Sequence, residues 1–379
     1  MYELAVQNLQ LDRLYSKIYY VSLLIVVLLT LFKSVSSDVF LSSRKKGDSV
    51  VVTALLAISI ILFFGVRTLY GVYIGDTVTY YWTWQHNVDM SFHEVYGNRE
   101  WIFIYLQIAV YRLIGHDISY FLLVVSLIYV GSHFIVCLKL MQKNIWVAFV
   151  FCIASFSFFE AGINGIRNGL ACGLVMLGVI ELCENKWNTI LLAAFLFIIA
   201  YFIHISSALP SICAIVAYLF AKNSKWAIIF WLSSIIVSFL LGDAIIDWFA
   251  DLGFDDRMDE YFINSDQVES TKLFSRTGFR WDFLLYSSIP VIVSWYVTIY
   301  RNFKDKTFII IANTYILANS FWIMVIRAFY SNRFAYLSWF LYPIVIAYPL
   351  LRMNLWEDQN MKTALVLLLY SGFTFVMFL

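Results

Sequence analysis

The chain alternates between long apolar stretches and short polar connections along almost its whole length. A helix that crosses the hydrocarbon core of a bilayer needs about 20 predominantly apolar residues. The pattern therefore predicts an all-α polytopic membrane protein with about twelve transmembrane helices, several of which extend into their flanks. The predicted spans are residues 18–33, 50–66, 118–140, 145–160, 169–183, 188–203, 207–221, 226–242, 282–300, 307–326, 334–350 and 361–379.

One further apolar segment, residues 101–113, is short for a span and is interrupted by Gln107 and Arg112. Basic residues near helix ends mark the cytoplasmic side of a membrane protein, so the basic clusters at 44–46 and 301–306 should share one side. They do so only if 101–113 stays out of the membrane. We therefore expect a juxtamembrane helix on the outer (periplasmic) surface, with both chain termini outside.

Two large loops, 67–117 and 243–281, remain on the outer side. They carry many Trp, Tyr, Asp and Arg residues, as ordered binding loops do. We expect one integral membrane domain over residues 1–379, with its functional face built from these loops. The first apolar run is followed by Lys33 and Ser34 instead of a small-residue cleavage site, so no cleavable signal peptide is expected.

The composition supports this class, because 62% of the residues are hydrophobic and 13% are charged, with a mean hydropathy of +0.78. Globular domains carry about 25% charged residues. No Gly-rich phosphate loop or dinucleotide fingerprint occurs, so we predict no cofactor and no nucleic-acid partner. The histidines show no metal-ligand spacing, and no metal site is predicted. The cysteines lie inside apolar segments and are expected to pack as small hydrophobic residues: Cys137, Cys152, Cys172, Cys183 and Cys213.

The predicted topology separates arginine from lysine. The inner loops and helix ends hold eleven lysines and three arginines, whereas the outer side holds ten arginines and two lysines. Cations outside oppose the positive-inside rule, so something outside requires them. A guanidinium is always ionised and grips two oxygens at once, which suits phosphate and pyrophosphate. We therefore expect an anionic lipid-linked substrate; the alternative, that outer carboxylates pair with these cations, applies best to Arg257 and Arg112.

The stretch 160–171 is the clearest polar interruption of the apolar background. It contains three glycines, two asparagines, Glu160 and Arg167. Ionisable groups near a bilayer are expensive and usually functional, although Arg167 could instead snorkel to the headgroups while the glycines mark a turn. A second interruption at the same predicted face contains His204. A lone histidine at a helix end is either a base or phosphate donor near neutral pH, or a structural residue.

Four more arginines surround the later outer connections. Arg276 and Arg280 lie four residues apart, so on a helical turn they face the same way. Arg327 and Arg333 bracket the connection between the tenth and eleventh predicted spans. Together with Arg167, they place guanidiniums from three connections on one predicted face. This pattern is typical of a site for a polyanionic headgroup, since random snorkelling would also use lysines.

Asp76 follows the second predicted span and precedes a run of aromatic residues. A carboxylate in this place is a candidate general base or sugar-hydroxyl ligand, but Asp followed by Thr also suits a helix N-cap. Tyr80, Tyr81 and Trp82 offer stacking faces for pyranose rings. Aromatic belts at membrane interfaces use the same residue types, so both interpretations remain open.

With these residues in view, the chain resembles the EpsG-like and Wzy-type polysaccharide polymerases of bacteria, which are integral-membrane proteins of the broader GT-C glycosyltransferase type. The resemblance covers most of the chain from about residue 67. GT-C transferases commonly carry a proline pair after the acid of their first loop, and this chain has none near Glu100. The motifs that carry the resemblance lie at Gly75-Asp76-Thr77 with Tyr80, Asn98-Arg99-Glu100-Trp101, Ile166-Arg167-Asn168-Gly169, His204-Ile205-Ser206-Ser207, Phe279-Arg280-Trp281-Asp282 and Asn332-Arg333-Phe334.

This resemblance implies chain growth at the outer face of the bacterial inner membrane. The expected acceptor is an oligosaccharide repeat unit on undecaprenyl pyrophosphate, and the donor is the growing O-antigen, capsule or exopolysaccharide chain on a second such lipid. Membrane lipids and a chain-length regulator protein are further candidate partners. We expect Arg167, Arg280 and Arg333 on the pyrophosphate, supported by Arg276 and Arg327. Asp76 is the first candidate base, with His204 and Glu160 as alternatives.

Two other functions compete with polymerisation. A GT-C transferase could add a single sugar from a polyprenyl phosphate. A transporter of lipid-linked oligosaccharide would need polar residues through the whole depth of the membrane, whereas here the arginines crowd one predicted face.

Overall fold

The computed structural model describes residues 2–36, 46–67, 76–141, 143–251, 279–327 and 331–378. Within these ranges the chain forms helices joined by short turns, and no strand occurs in them. The first helices are α1 (Tyr2–Ser36), α2 (Lys46–Gly65), α3 (Thr77–Asn87), α4 (Phe92–Tyr96), α5 (Trp101–Leu113), α6 (Ile118–Met141), α7 (Ile145–Ile153), α8 (Phe158–Ile163) and α9 (Ile166–Glu184). They continue with α10 (Trp187–Ile203), α11 (Ala208–Leu219), α12 (Lys225–Asp251), α13 (Trp281–Trp295), α14 (Lys306–Met324), α15 (Ser331–Trp339), α16 (Tyr342–Arg352) and α17 (Gln359–Phe378).

The prediction of an all-α polytopic membrane protein is confirmed. Eight helical segments of the described ranges are long and apolar enough to cross a membrane, and each coincides with a predicted span. Three more predicted spans form shorter apolar helices, Ser49–Gly65, Trp187–Ile203 and Ile205–Leu219. The sidedness of the helices stays a prediction.

The predicted span 145–160 is wrong as a single helix. The chain turns between Ile153 and Phe158, which separates α7 from α8. Every residue from Val147 to Phe159 is buried, so this irregular backbone does not face lipid. Non-helical backbone is tolerated at membrane depth only where protein or a water-filled cavity surrounds it.

Distant side chains stabilise this break. The end of a helix leaves carbonyl groups without backbone partners, and burying them unpaired would be costly. Here the Tyr19 hydroxyl donates to the Ile153 carbonyl at 2.7 Å, and the Thr374 hydroxyl donates to the Ala154 carbonyl at 2.9 Å. Residues of α1 and α17 therefore satisfy the groups that the break exposes.

A similar interruption divides the predicted span 334–350. Helix α15 ends at Trp339 and α16 begins at Tyr342, with Phe340 and Leu341 in a turn. The residues from Leu337 to Leu351 are all buried. Both interrupted segments are thus surrounded by other helices of the protein.

The described residues form two compact units. The first comprises Met1–Leu177, Phe202–His204 and Ala347–Leu379, and the second comprises Gly178–Tyr201 and Ile205–Ile346. The assignment of residues 1–379 to one membrane domain stays a prediction.

In the first unit, α2 packs against α6 and α1 packs against α17. Aromatic rings fill the space between them, since the ring of Phe159 lies 4.8 Å from Tyr19, 5.4 Å from Tyr20 and 5.9 Å from Phe64 between centroids. This core positions the turn at Asn164 and Gly165 between α8 and α9, which we call the elbow.

In the second unit, α14 is the central helix and packs against α11, α12 and α15. Its buried Asn319 is bonded on both sides: the Trp231 indole donates to Asn319 Oδ1 at 2.8 Å, and Asn319 Nδ2 donates to Ser338 Oγ at 3.0 Å. Buried polar groups that are fully bonded fix the register of neighbouring helices.

Helix α5 has the bounds predicted for the juxtamembrane helix. Its 13 residues extend about 20 Å, which is less than the roughly 30 Å of a bilayer core. The buried Gln107 accepts a hydrogen bond from Asn87 Nδ2 at 2.6 Å, so the polar residue inside this helix ties it to α3. Its placement on the outer membrane surface stays a prediction.

The elbow between α8 and α9 requires glycine at one position. A Cβ atom on Gly169 would lie 2.3 Å from the Ala161 carbonyl oxygen, closer than van der Waals contact allows. The missing side chain lets the first turn of α9 pack directly on α8. It thereby sets the position of Arg167, two residues earlier in the same turn.

We expect Gly169→Ala to lower the thermal unfolding midpoint of the detergent-purified protein, because the added methyl group must separate α8 from α9. Overpacking of this kind costs about 1–3 kcal/mol. Gly131→Ala is the matched control, because nothing lies within 4 Å of its would-be Cβ and alanine favours a helix by roughly 1 kcal/mol. Equal midpoints for the two variants would contradict the close approach at Gly169.

Candidate functional site

Three residues from separate helix ends of the first unit meet at one carboxylate. Glu100 occupies the N-cap position of α5, Arg167 lies in the first turn of α9, and His204 follows the last residue of α10. Arg167 Nη1 donates to Glu100 Oε2 at 2.5 Å, and His204 Nδ1 lies 2.7 Å from Glu100 Oε1. Each carboxylate oxygen thus holds a different partner. We call these three residues the Glu100 cluster.

The Glu100 cluster is partly shielded from solvent and remains reachable. The exposed fractions of the side chains are 19% for Glu100, 29% for Arg167 and 18% for His204. The Phe103 ring lies 5.9 Å from the Arg167 guanidinium carbon, and Trp101 packs against Phe202 at 5.5 Å. Ion pairs in such surroundings are stronger than exposed ones, because the local dielectric is lower.

A second set of contacts lies on the elbow beside Arg167. Asn164 Nδ2 donates to Glu160 Oε2 at 2.5 Å, the Tyr80 hydroxyl donates to the Asn164 carbonyl at 3.0 Å, and the Asp76 backbone amide lies 3.4 Å from Asn164 Oδ1. Arg167 also donates to the Tyr80 hydroxyl. These contacts, which we call the Asn164 network, connect the start of α3 to the Glu100 cluster.

Asp76 occupies the N-cap position of α3, as one of the two sequence interpretations expects. Its carboxylate nevertheless makes no capping hydrogen bond to the helix. The side chain is half-buried, and its oxygens are not committed to α3. The geometry therefore leaves Asp76 available as a sugar ligand or base.

The three aromatic candidates differ in exposure. Tyr80 is 8% exposed and its hydroxyl belongs to the Asn164 network, so its ring offers no open stacking face. Trp82 is 64% exposed and packs edge-on against Tyr81 at 5.9 Å. Of the predicted sugar-stacking residues, Trp82 faces outward, and Tyr81 beside it is half-buried.

The arginines of the second unit have surroundings of their own. Arg280 donates through Nε and Nη2 to the two Asp282 oxygens, at 2.9 and 2.6 Å, and its guanidinium carbon lies 3.7 Å from the centre of the Phe283 ring. Arg327 lies over the Phe239 ring at 5.8 Å, and Arg333 is half-buried in α15. The contact of Arg280 with Asp282 already neutralises its charge.

Arg276 lies outside the described residues. The convergence of Arg167 with Arg280, Arg327 and Arg333 stays a prediction, because Arg167 belongs to the first unit and the others belong to the second. The structure brings together Asp76, Glu160, Arg167, His204 and Tyr80, all within the first unit.

Sequence reasoning did not assign a role to Glu100. Its partners lie 67 and 104 residues away, beyond the reach of local patterns. One signal was present: an arginine at the edge of an apolar helix requires a counterion, and Glu100 is the acid at the start of the predicted juxtamembrane helix. In the described ranges, no group of three His, Cys, Asp or Glu side chains is close enough to hold a metal ion.

Comparison with known proteins adds a family. The model of the EpsG family matches residues 52–379, a range that contains the Glu100 cluster and the Asn164 network. No curated protein and no solved structure matches the chain.

We expect the Glu100–Arg167 ion pair to show a coupling of about 1–2 kcal/mol in a double-mutant cycle. The cycle compares Glu100→Gln, Arg167→Gln and the double variant, with unfolding free energies measured by titrating the detergent-solubilised protein with SDS. Glu100→Gln leaves Arg167 without its counterion, and Arg167→Gln leaves Glu100 with His204 alone. The double variant removes both charges.

The matched control is the ion pair between Lys186 and Glu184, whose side chains are 74% and 38% exposed and 3.3 Å apart. The cycle Glu184→Gln with Lys186→Gln should give a coupling of about 0.5 kcal/mol or less, because water screens exposed pairs. Equal coupling in the two cycles would show that the Glu100 cluster is no more than a surface contact.

Proposed function

The chain belongs to the EpsG family, and from this premise we propose that it is a polysaccharide polymerase that joins lipid-linked oligosaccharide repeat units at the outer face of the bacterial inner membrane. The substrates are repeat units on undecaprenyl pyrophosphate. The helical, apolar character of the chain supports the membrane location. The outward orientation of the site is supported by the basic clusters at 44–46 and 301–306, which the positive-inside rule assigns to the cytoplasmic side.

The single observation that carries this proposal is the carboxylate of Glu100, which holds a guanidinium on one oxygen and an imidazole on the other. Glycosyl transfer from a pyrophosphate needs a cation at the leaving group and a base at the attacking hydroxyl. The Glu100 cluster offers both kinds of group within one hydrogen-bonded unit.

The reaction forms one bond and breaks one. An acceptor sugar hydroxyl attacks the anomeric carbon of the donor chain, and the bond between that carbon and the pyrophosphate oxygen breaks. The electron pair of this bond leaves with undecaprenyl pyrophosphate, and the hydroxyl proton passes to the base. The hard step is the charge that builds on the leaving pyrophosphate, where preorganised donors act most strongly.

Arg167 is the proposed ligand of the leaving pyrophosphate. Glu100 and Tyr80 occupy part of its donors, and a guanidinium carries five N–H groups, so donors remain for phosphate oxygens. Glu100 holds the guanidinium in place before substrate arrives. A fixed donor needs no reorganisation when charge develops.

His204 is the proposed base among the three sequence candidates. Its Nδ1 faces Glu100, and its Nε2 forms no hydrogen bond to a described residue. A carboxylate at Nδ1 fixes the tautomer that leaves Nε2 able to accept a proton, as in catalytic triads.

Asp76 and Glu160 are the proposed ligands of sugar hydroxyls. The Asp76 carboxylate is not used for capping, and Glu160 is fixed by Asn164. The exposed Trp82 with Tyr81 provides a stacking surface for a pyranose ring. Arg280 and Arg333, with Arg276 and Arg327, are proposed to contact the remaining phosphate groups, and a chain-length regulator is a proposed protein partner.

We expect Arg167→Lys to reduce polymerisation about 100-fold, the effect of removing one preorganised donor, because lysine keeps the charge and loses the fork. The assay supplies lipid-linked repeat units to purified protein in nanodiscs and resolves the products on a gel. Wild type should give a ladder, and the variant should leave single repeat units.

The control is Arg112→Lys, which changes an exposed arginine at the end of α5 and should leave the ladder intact. Wild-type chain lengths from Arg167→Lys would contradict pyrophosphate binding by Arg167. A single-step shift from wild type, in place of a ladder, would indicate a transferase that adds one sugar.

A further inference from the structure

Arg67 is a buried arginine that the Glu100 cluster does not use. It follows α2 by two residues and is 1% exposed. Its Nε donates to Thr77 Oγ1 at 3.1 Å, and its Nη1 donates to the Phe64 carbonyl. Its Nη2 has no hydrogen-bond partner.

The charge of Arg67 is uncompensated within the described residues. Arg167 pairs with Glu100 and Arg280 pairs with Asp282, whereas no carboxylate of the described ranges pairs with Arg67. Burial lowers the pKa of Arg67 to about 10, so the guanidinium is still protonated at neutral pH. A buried charge without a counterion is strongly destabilising, and ionisable groups in membrane proteins are kept mainly where function requires them.

The position of Arg67 connects it with the proposed site. Thr77, its hydrogen-bond partner, is the first residue of α3 and follows Asp76. The N-terminus of a helix carries partial positive charge and free N–H groups. Tyr80 lies three residues after Thr77 in the same helix, and its hydroxyl belongs to the Asn164 network beside Arg167. The helix that Arg67 contacts is therefore the one that reaches the Glu100 cluster.

We infer that Arg67, with the N-terminus of α3, forms a second anion subsite that receives a phosphate group of the lipid-linked substrate through Nη2. This inference rests on the proposed function for the identity of the lipid and on the unpaired buried donor for the site itself. Because Nη2 is buried, a phosphate group reaches it only when the covering side chains move. The prenyl chain and sugars of a lipid-linked substrate supply more binding energy for that movement than a free ion does. We therefore assign the subsite to the lipid-linked pyrophosphate, the same group that Arg167 is proposed to bind.

The test measures the dissociation constant of farnesyl pyrophosphate, a short prenyl pyrophosphate, for the full-length protein in nanodiscs. We expect Arg67→Met to weaken binding at least tenfold and Arg67→Lys to weaken it severalfold, because lysine keeps the charge without the fork. Thr77→Val removes the Nε partner and leaves the charge, so it should stay within threefold of wild type. Arg112→Lys should bind as wild type does.

Unfolding midpoints separate binding from structure. If Arg67 is a subsite residue, Arg67→Met should keep or raise the ligand-free midpoint, since the variant removes a buried charge that lacks a counterion. The variant should also lose the rise in midpoint that farnesyl pyrophosphate gives wild type. If Arg67→Met does not fold, Arg67→Lys decides: unchanged affinity overturns the subsite. Wild-type affinity in a folded Arg67→Met variant also overturns it.

Further measurements show whether the bound phosphate comes from a lipid or from a free ion, and they test this inference separately from the proposed function. Inorganic pyrophosphate that binds as tightly as farnesyl pyrophosphate, with the same dependence on Arg67, would contradict a lipid-linked source. If farnesyl pyrophosphate binding depends on Arg67 but wild type makes no glycan ladder, the subsite stands and the polymerase proposal fails. If wild type makes a ladder and Arg67→Met keeps the wild-type dissociation constant, the subsite alone fails.

Discussion

A carboxylate shared between a guanidinium and an imidazole sets the arrangement of the first unit around the candidate site. Glu100 can hold Arg167 and His204 together only if the starts of α5 and α9 and the end of α10 meet. The cost of leaving any of these partly buried groups unpaired is larger than that of a surface ion pair. The surrounding features, from the glycine at the elbow to the buried amide contact between α3 and α5, bring these helix ends together.

The break between α7 and α8 brings the chain to the elbow from which Arg167 reaches Glu100. A continuous helix over 145–160 would have carried the chain past the elbow that presents Arg167. The chain instead turns inside the protein, and the Tyr19 and Thr374 hydroxyls bind the carbonyls that the turn releases. Irregular backbone of this kind lies next to substrate sites in other membrane proteins, where it supplies polar groups at depth.

The helical, membrane-spanning class could be predicted from the sequence because long apolar stretches with few charges have one stable outcome in a bilayer. The bounds of α5 could be predicted as well, because its apolar run is short and Gln107 and Arg112 interrupt it. The break in 145–160 could not, because no glycine or proline marks it and its stabilising partners lie 134 and 220 residues away. The sequence pointed to Arg167, His204, Asp76 and Glu160 as polar residues beside apolar stretches, but the carboxylate that joins two of them depends on tertiary contacts.

In the proposed mechanism Glu100 positions its two partners, Arg167 binds the leaving pyrophosphate, and His204 accepts the hydroxyl proton. The most direct measurement is the elongation rate of His204→Asn, whose amide can still donate to Glu100 and which lacks the proton-accepting Nε2. With lipid-linked repeat units and purified protein in nanodiscs, we predict a rate about 100-fold or more below wild type, with an unchanged dissociation constant for farnesyl pyrophosphate. An elongation rate within fivefold of wild type would contradict it.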